Sequence, residues 1–522
     1  MLAVTEDLKG FLRRAKHLSE VISSAGSVVV VSHIDADGIS SAAIAKRALE
    51  RLDLPHRVQF VRSLGEEEIE AISKMHEDVV WICDLGTGPC QRISDRKCVI
   101  TDHHQIFGTG QSSLELFGDM DHMLNPLLFG MEGSTQLSGA GNTYFVAREL
   151  DERNLDLAYL AVVGAVGDMQ DRNARKLGGP LHSLVIKDAE SRGDLQVVTN
   201  ELQFFGWVTR SAAAMLAFSN DLKAVGFSDT IKEVASLFYR SGIPLKRSSS
   251  QSFGRPGDRG FEWRSWSELT QEERNVMKVA LRDRLGEIGL DRNALDGLLG
   301  EVYLFPNHPS GSPTREAKEF ATLLNASGRY VLTNDSRGEE ERGDLIINVC
   351  LNPKVYSEKA LENVNNHRVN IREGMKEVHR VEQMINIQYL LPKRKNSFCL
   401  KVNDTILGII TGMVLDQKRG GEKLEMDISK PLVALAEKED SGGKGGDPVV
   451  KVSSRMSREL LKKGINMGSA IGHAARIVGG DGGGHDVAAG ANIPQKQIKK
   501  FLKALDEEVG EQVSRFNPSK RS

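Results

Sequence analysis

The chain has 522 residues, 40% hydrophobic and 27% charged, an ordinary globular composition at a length that implies two or three domains rather than one core. No run approaches the ~18 consecutive apolar residues of a membrane span, Met1 to Lys16 lacks the apolar stretch of a signal peptide, and five cysteines without a CxxC pair disfavour a disulfide framework or zinc ribbon and suit a reducing cytoplasm. The net charge of −3 is unevenly spread: 13 Lys+Arg against 7 Asp+Glu give Lys451 to Ser522 +6 and leave −9 on the remainder, which suits a phosphate-rich substrate.

In chain order, Leu8 to Ser23 has helical spacing of apolar residues. Ser27 to Ser32 is a continuous β-branched run, as expected for a parallel strand covered on both faces. Ser40 to Leu52 is predicted as a helix, Arg57 to Val61 as a strand and Glu66 to Met75 as a helix. Asp78 to Asp84 and Lys97 to Asp102 are two further strands, each ending in Asp. This alternation predicts an α/β domain with a parallel sheet and flanking helices. Helices follow over Asn142 to Leu150, behind Leu137-Ser138-Gly139-Ala140-Gly141, and over Leu155 to Val166. Leu181 to about Gly242 reads as broken helix. Lys246 to Trp266 reads as a long loop with anchoring or base-stacking aromatics (Phe253, Phe261, Trp263, Trp266). Asp291 to Arg329 is expected to begin a second globular unit, and Pro353 to Tyr389 to form a long connecting helix. Thr405 to Ile410, Pro431 to Ala436 and Val449 to Val452 read as strands, with Ser441 to Gly446 as a hairpin tip.

Ligands of open parallel sheets bind beyond the carboxyl ends of the strands. His33, Asp35, Asp37, Asp84, Asp102, His103 and His104 all fall there, and Asp168 follows Gly167 at a helix end. A single strand-end Asp is commonly a helix cap or turn former, but caps alone do not place metal-type ligands at three strand ends. Carboxylates suit magnesium and manganese, and imidazoles tilt the choice to manganese or another transition metal. Two such ions a few ångströms apart clamp the attacking and leaving oxygens of a phosphoryl displacement. In this reading Asp84 bridges, Asp35, Asp37 and Asp168 are terminal ligands with His33 and His103, Asp102 orients a histidine, and His104 assists a phosphate oxygen or the leaving group. Near the C-terminus, Gly479 to His485 offers glycines whose N–H groups can approach an anion, with Ser454-Arg455 upstream; arginine suits bidentate phosphate binding. Ser454, Arg455, Gly482, Gly483, Gly484 and His485 are the candidate substrate-binding residues.

With these motifs assembled, the chain resembles the DHH phosphoesterase superfamily. His33-Ile-Asp35-Ala-Asp37-Gly is similar to its first motif, Asp84 to the second, Asp102-His103-His104 to the third and Gly164-Ala-Val-Gly-Asp168 to the fourth. Gly482 to His485 with Ser454-Arg455 resembles its associated C-terminal domain. Gly167 to Gln170, Phe205 to Arg210 and Glu319 to Arg329 look like segments of archaeal RecJ-like proteins. The resemblance implies an N-terminal DHH catalytic domain over 1–212, an insert over 213–315, a linking segment with a long helix over 316–390, and a smaller α/β DHH-associated domain over 391–522 across a cleft. It implies two divalent ions, manganese preferred and magnesium second, on His33, Asp35, Asp37, Asp84, His103 and Asp168, with Asp84, Asp102 and His104 catalytic. The function it implies is a manganese-dependent single-strand exonuclease on DNA, extending to RNA, in replication or repair. A member of the archaeal group associates with the GINS complex of the replisome. Two rivals stand beside this reading: a phosphoesterase of short oligonucleotides or small nucleotides, and a GINS-holding replisome scaffold with little activity.

Overall fold

The β-branched run from Val28 to Val31 forms an inner strand of a five-stranded parallel sheet. The computed structural model of the protein describes residues 6–87, 97–104, 120–247, 263–332, 339–417, 424–438, 448–484 and 486–516. Helix α1 (Glu6–Ser23) leads into β1 (Val28–His33), α2 (Ala36–Arg51), β2 (His56–Val61), α3 (Glu66–Ser73), β3 (Val79–Cys83), β4 (Cys98–Thr101) and β5 (Met123–Leu124). These strands form one all-parallel sheet in the order β2-β1-β3-β4-β5. Val28 and Val30 enter one apolar cluster and Val29 and Val31 another, so β1 is covered on both faces, which is why its sequence shows no alternation. The chain places β2 on one side of β1 and β3 on the other. That reversal opens a crevice beyond the carboxyl ends of β1 and β3, where open α/β sheets take their ligands.

The chain continues through α4 (Gly139–Leu150), α5 (Ala158–Gly167), α6 (Gly179–Ser191), β6 (Gln196–Leu202), α7 (Ala212–Ala217), α8 (Asn220–Ala224), α9 (Ile231–Arg240), α10 (Gln271–Glu287), β7 (Leu299–Leu304), α11 (Ala317–Gly328), α12 (Glu339–Leu351) and α13 (Pro353–Glu377). Side chains of α1, α2, α4, α5, α11 and α12 share the larger core with Trp81, and Phe11 meets Phe129 and Phe145 edge-on within it. Strands β6 and β7 pair antiparallel, and Trp207, Phe227, Phe238, Trp266 and Met277 form a separate apolar cluster beside them. Met1–Val364 is one compact unit.

Three expectations change in this unit. The stretch expected to be broken helix contains β6, because Gln196, Val197 and Val198 find a partner strand far along the chain in β7, and such pairing overrides local propensity. Residues 291–329 belong to the first unit and do not open a second one: Phe305, Ala317 and Phe320 are part of the same core as β1. Of the long loop, 248–262 lie outside the described residues, including Phe253 and Phe261. Its ends are joined by a bridge between Lys246 and Trp263. Trp266 is fully buried and its indole N–H donates to Glu201 at 3.3 Å, so it anchors the segment and is not free to stack on a base.

The second unit, Asn365–Ser522, contains β8 (Val378–Gln383), β9 (Gln388–Pro392), α14 (Leu407–Gln417), β10 (Leu432–Glu437), β11 (Val449–Arg455), α15 (Met467–Ile477), β12 (Asp481–Gly484), β13 (Ala488–Pro494) and α16 (Ile498–Phe516). Its sheet runs β12-β13-β11-β10-β9-β8, antiparallel apart from the β9–β10 pair. Helices α15 and α16 cover one face and α14 the other. The expected long helix stops at Glu377 and gives way to β8 and β9. The expected strand over Thr405 to Ile410 is instead a 3-10 turn running into α14; Ile406, Leu407, Ile410 and Val414 are buried at helical spacing. The expected hairpin tip at Ser441 to Gly446 lies outside the described residues. Among the described residues no helix is long and apolar enough to cross a membrane.

Candidate metal centre

The centre is assembled from backbone turns that need glycine. Asp35 caps α2, accepting from the Gly38 amide at 2.9 Å, so the helix begins four residues before the Ser40 start expected from sequence. A Cβ on Gly38 would lie 2.3 Å from the His33 carbonyl oxygen. Asp37 therefore sits in the first turn of α2, fully buried, and accepts the Gly139 and Ala140 amides of α4 at 2.6 and 2.9 Å. These are orphan donors at the positive end of a helix dipole. A Cβ on Gly139 would lie 2.6 Å from the Asp84 Cβ, and one on Gly164 would lie 2.2 Å from Asp37 Oδ1. Asp84 and Met169, the residue after Asp168, adopt φ of +58°. A left-handed non-glycine residue costs about 1–3 kcal/mol, so the fold holds both turns against strain.

The sequence-predicted ligands converge. His33 Nδ1 lies 2.9 Å from Asp35 Oδ2 and 3.5 Å from Asp84 Oδ2. His103 Nε2 lies 3.0 Å from Asp168 Oδ2, 3.4 Å from Asp84 Oδ1 and 3.7 Å from Asp37 Oδ2. One donor group is thus His33, Asp35 and Asp84; a second is Asp37, His103 and Asp168. Asp84 turns one oxygen to each.

The electrostatics call for cations. Burial, then the charges of Asp84 and Asp168, raises the Asp37 pKa well above the usual carboxylate range. Burial likewise raises Asp168. Burial disfavours charge on Asp84 too, but His103 and His33 outweigh it and hold its pKa low. For His33, Asp35 and Asp84 overcome burial and raise the pKa; for His103, Asp168 and Asp84 do so. Both carboxylate oxygens of Asp84 and Nε2 of His103 are buried with no hydrogen-bond partner. Orphan acceptors of this kind are costly unless a cation meets them. The oxygen-rich donor set with two imidazoles fits divalent ions of the magnesium or manganese type.

Asp102 is a brace. Its Oδ1 lies 2.7 Å from His104 Nδ1 and accepts the His103 amide at 2.8 Å; its Oδ2 accepts the Thr87 amide and hydroxyl at 2.9 and 2.6 Å. His104 consequently carries its Nδ1 hydrogen towards Asp102 and turns Nε2 outward. Although burial opposes the charge, Asp102 raises the His104 pKa to about 9. Asn125 donates to the Thr87 hydroxyl at 3.1 Å and to the His104 carbonyl at 3.0 Å. Sequence reading missed Thr87 and Asn125. Asn125 carried the same positional signal as the acids, since it ends β5, but a neutral amide is not a metal-type ligand.

In the second unit Ser454 is fully buried and its hydroxyl donates to the Ala489 carbonyl at 3.1 Å, tying β11 to β13. Arg455 is partly buried, donates to Ser453 Oγ at 3.4 Å and the Ser454 carbonyl at 2.8 Å, and has its pKa lowered by burial. A Cβ on Gly408 would lie 2.7 Å from its Nη2, so the guanidinium rests against the first turn of α14. Gly482, Gly483 and Gly484 lie in the edge strand β12; a Cβ on Gly482 would lie 2.7 Å from that of Ala491. The register places Ser454, Ala489 and Gly484 in one row. His485 lies outside the described residues.

The DHHA1 domain family matches residues 398–511. An uncharacterized protein of Methanocaldococcus jannaschii, MJ0831, is 25% identical over 517 residues, covering 98% of this chain and 100% of its own length. The crystal structure of CDC45 from Entamoeba histolytica is similar with a TM-score of 0.57 at 12% identity, over 96% of this chain and 97% of that one. A crystal structure of exonuclease RecJ bound to manganese gives a TM-score of 0.49 at 14% identity, over 99% and 98% of the two chains.

Proposed function

We propose that this chain is a metal-dependent phosphodiesterase of the DHH superfamily, acting as a single-strand exonuclease on DNA, and on RNA in the same site; its metal-ligand motifs and the match of residues 398–511 to the DHHA1 domain family support this reading. The observation that carries this reading is the pair of buried Asp84 oxygens without a hydrogen-bond partner, Oδ2 beside His33 and Oδ1 beside His103. His33, Asp35 and Asp84 would hold one divalent ion, and Asp37, His103 and Asp168 the other. When bound, such ions supply an activated water and neutralise charge at the phosphate, and two imidazoles among the carboxylates favour manganese or another transition metal over magnesium.

The chain's own residues do the rest. The α4 amides fix Asp37, and the turn at Asp84 aims its carboxylate between the triads. His104, whose pKa Asp102 raises against burial, donates a proton from Nε2 to the leaving oxygen or hydrogen-bonds a phosphate oxygen. Arg455 binds the strand backbone, with Ser454 bracing β11 and the glycines of β12 leaving backbone N–H groups accessible to phosphate. Such contacts are sequence-tolerant. In the cell this activity belongs to replication or repair, with GINS as the partner the resemblance suggests.

The test is incubation with manganese or magnesium and 5′- or 3′-labelled single-stranded DNA and RNA, beside a dinucleotide. Ladders from one end, with long strands preferred, support the exonuclease. Preference for the dinucleotide would replace it with a small-substrate phosphoesterase. GINS binding without hydrolysis under any divalent metal would replace it with a scaffold.

A further inference from the structure

The turn after Asp168 carries a side chain that the metal set does not use. Gln170 is buried, and its amide nitrogen donates to the Gly133 carbonyl at 2.9 Å. Its amide oxygen lies 2.8 Å from His182 Nε2. The same Gly133 carbonyl lies 2.9 Å from His103 Nδ1. A carbonyl can only accept, so His103 carries its hydrogen on Nδ1 when neutral and keeps the lone pair on Nε2, the atom that faces Asp84 and Asp168. By the same logic the Gln170 amide turns its NH2 to Gly133 and its oxygen to His182, which must donate from Nε2. His182 is buried on α6, and burial lowers its pKa to about 3, so it is the neutral ring this chain of bonds requires. Gly133 cannot carry a side chain, since a Cβ would lie 2.1 Å from the His103 carbonyl oxygen.

We propose that Gln170, backed by His182, is a positioning residue that clasps His103 and Asp168 together for one of the two ions, an inference that rests on the two-ion reading above. Asp168 and Gln170 are separated only by Met169, whose left-handed φ of +58° sends its own side chain to solvent, 59% exposed. Asp168 and Gln170 both turn inward, one as ligand and one as tether. The Gly133 carbonyl is where the Asp168 loop and His103 meet. Among the described residues His33 and Asp35 make no hydrogen bond to Gln170, Gly133 or His182, so its loss falls first on the Asp37, His103 and Asp168 triad; Asp84, whose Oδ1 lies 3.4 Å from His103 Nε2, faces both triads. Groups that orient a ligand histidine typically affect metal affinity by about 10–100-fold.

Manganese itself is the probe. The full chain is titrated with Mn²⁺, following heat and the electron paramagnetic resonance of the free ion, as wild type, Gln170→Met, His182→Leu and His182→Gln, with metal-free melting curves recorded for each. Wild type takes up two ions. Gln170→Met weakens one of them by about 10–100-fold and leaves the other within about twofold. His182→Leu shifts the same site in the same direction, and His182→Gln, which can still give an N–H to Gln170, restores it. Should Gln170→Met fail to fold, the His182 pair decides. Two unchanged affinities in the variants overturn the clasp, as does a parallel fall of both with melting temperature, the signature of a merely structural bond. A wild-type chain that binds no manganese overturns the two-ion reading itself.

Discussion

Gly164→Ala places a methyl group where α5 crosses the carboxylate of Asp37. The new Cβ would lie 2.2 Å from Asp37 Oδ1 and 2.6 Å from the Ala140 Cβ, against 3.4–4 Å for ordinary contact. Asp37 cannot retreat easily, because both oxygens are held by the α4 amides. Either α5 withdraws or Asp37 leaves its amides, and overpacking of this kind costs about 1–3 kcal/mol. Melting of the first unit should fall by a few degrees. Displacement of Asp37 by about 1 Å should lower hydrolysis by about 100-fold. The assay is manganese-dependent release of nucleotide from labelled single-stranded DNA, run with thermal melting. Gly297→Ala, with open space around its Cβ, is the control and should leave both unchanged. A Gly164→Ala chain as active as wild type would refute the placement of Asp37 in the working site.

His104→Ala and Asp102→Asn should each lower turnover by about 100-fold or more, and the double variant should lose little further, since the pair acts as a unit; additive losses would contradict the dyad. Arg455→Ala should weaken single-strand binding and reduce the slope of log affinity against log salt by about 0.7, measured by fluorescence anisotropy at several salt concentrations; an unchanged slope would remove Arg455 from the phosphate path. Glu316 caps α11, and burial, then the neighbouring Glu319, raises its pKa to about 8, above the ~4.3 of an unfolded glutamate. The folded chain therefore binds more protons between those values, so the associated stability is full below about pH 4 and is lost as pH rises through about 8. Glu316→Gln should flatten that loss in pH-dependent melting, and an unaltered slope would show that Glu316 is ionised at neutral pH.

Four strands of the parallel sheet were legible because they are short β-branched or apolar runs, β3 and β4 leading into acids; β5, two residues long and followed by Asn125, was not. The ligands were legible for the same reason: His33, Asp84 and His103 sit where a parallel sheet exposes its strand ends. What the sequence hid was non-local. β6 has the polar residues Thr199, Asn200 and Glu201 in its second half and becomes a strand only beside β7. Thr405 to Ile410 carries β-branched residues yet folds as helix because its apolar positions repeat at three and four. Gly482 and Gly484 look like turn residues but are demanded by close strand approach in β12. Gln170, Thr87 and Asn125 hold the centre through neutral hydrogen bonds, which no spacing of charged residues announces.

The central claim is that Asp84 lies between two bound ions in a phosphodiester-cleaving site. The most direct measurement compares wild type and Asp84→Ala for manganese-dependent hydrolysis of end-labelled single-stranded DNA, with circular dichroism recording the fold of each. Wild-type cleavage that needs manganese, abolished in a folded Asp84→Ala chain, is the predicted result. Manganese-dependent cleavage that survives the substitution would contradict it.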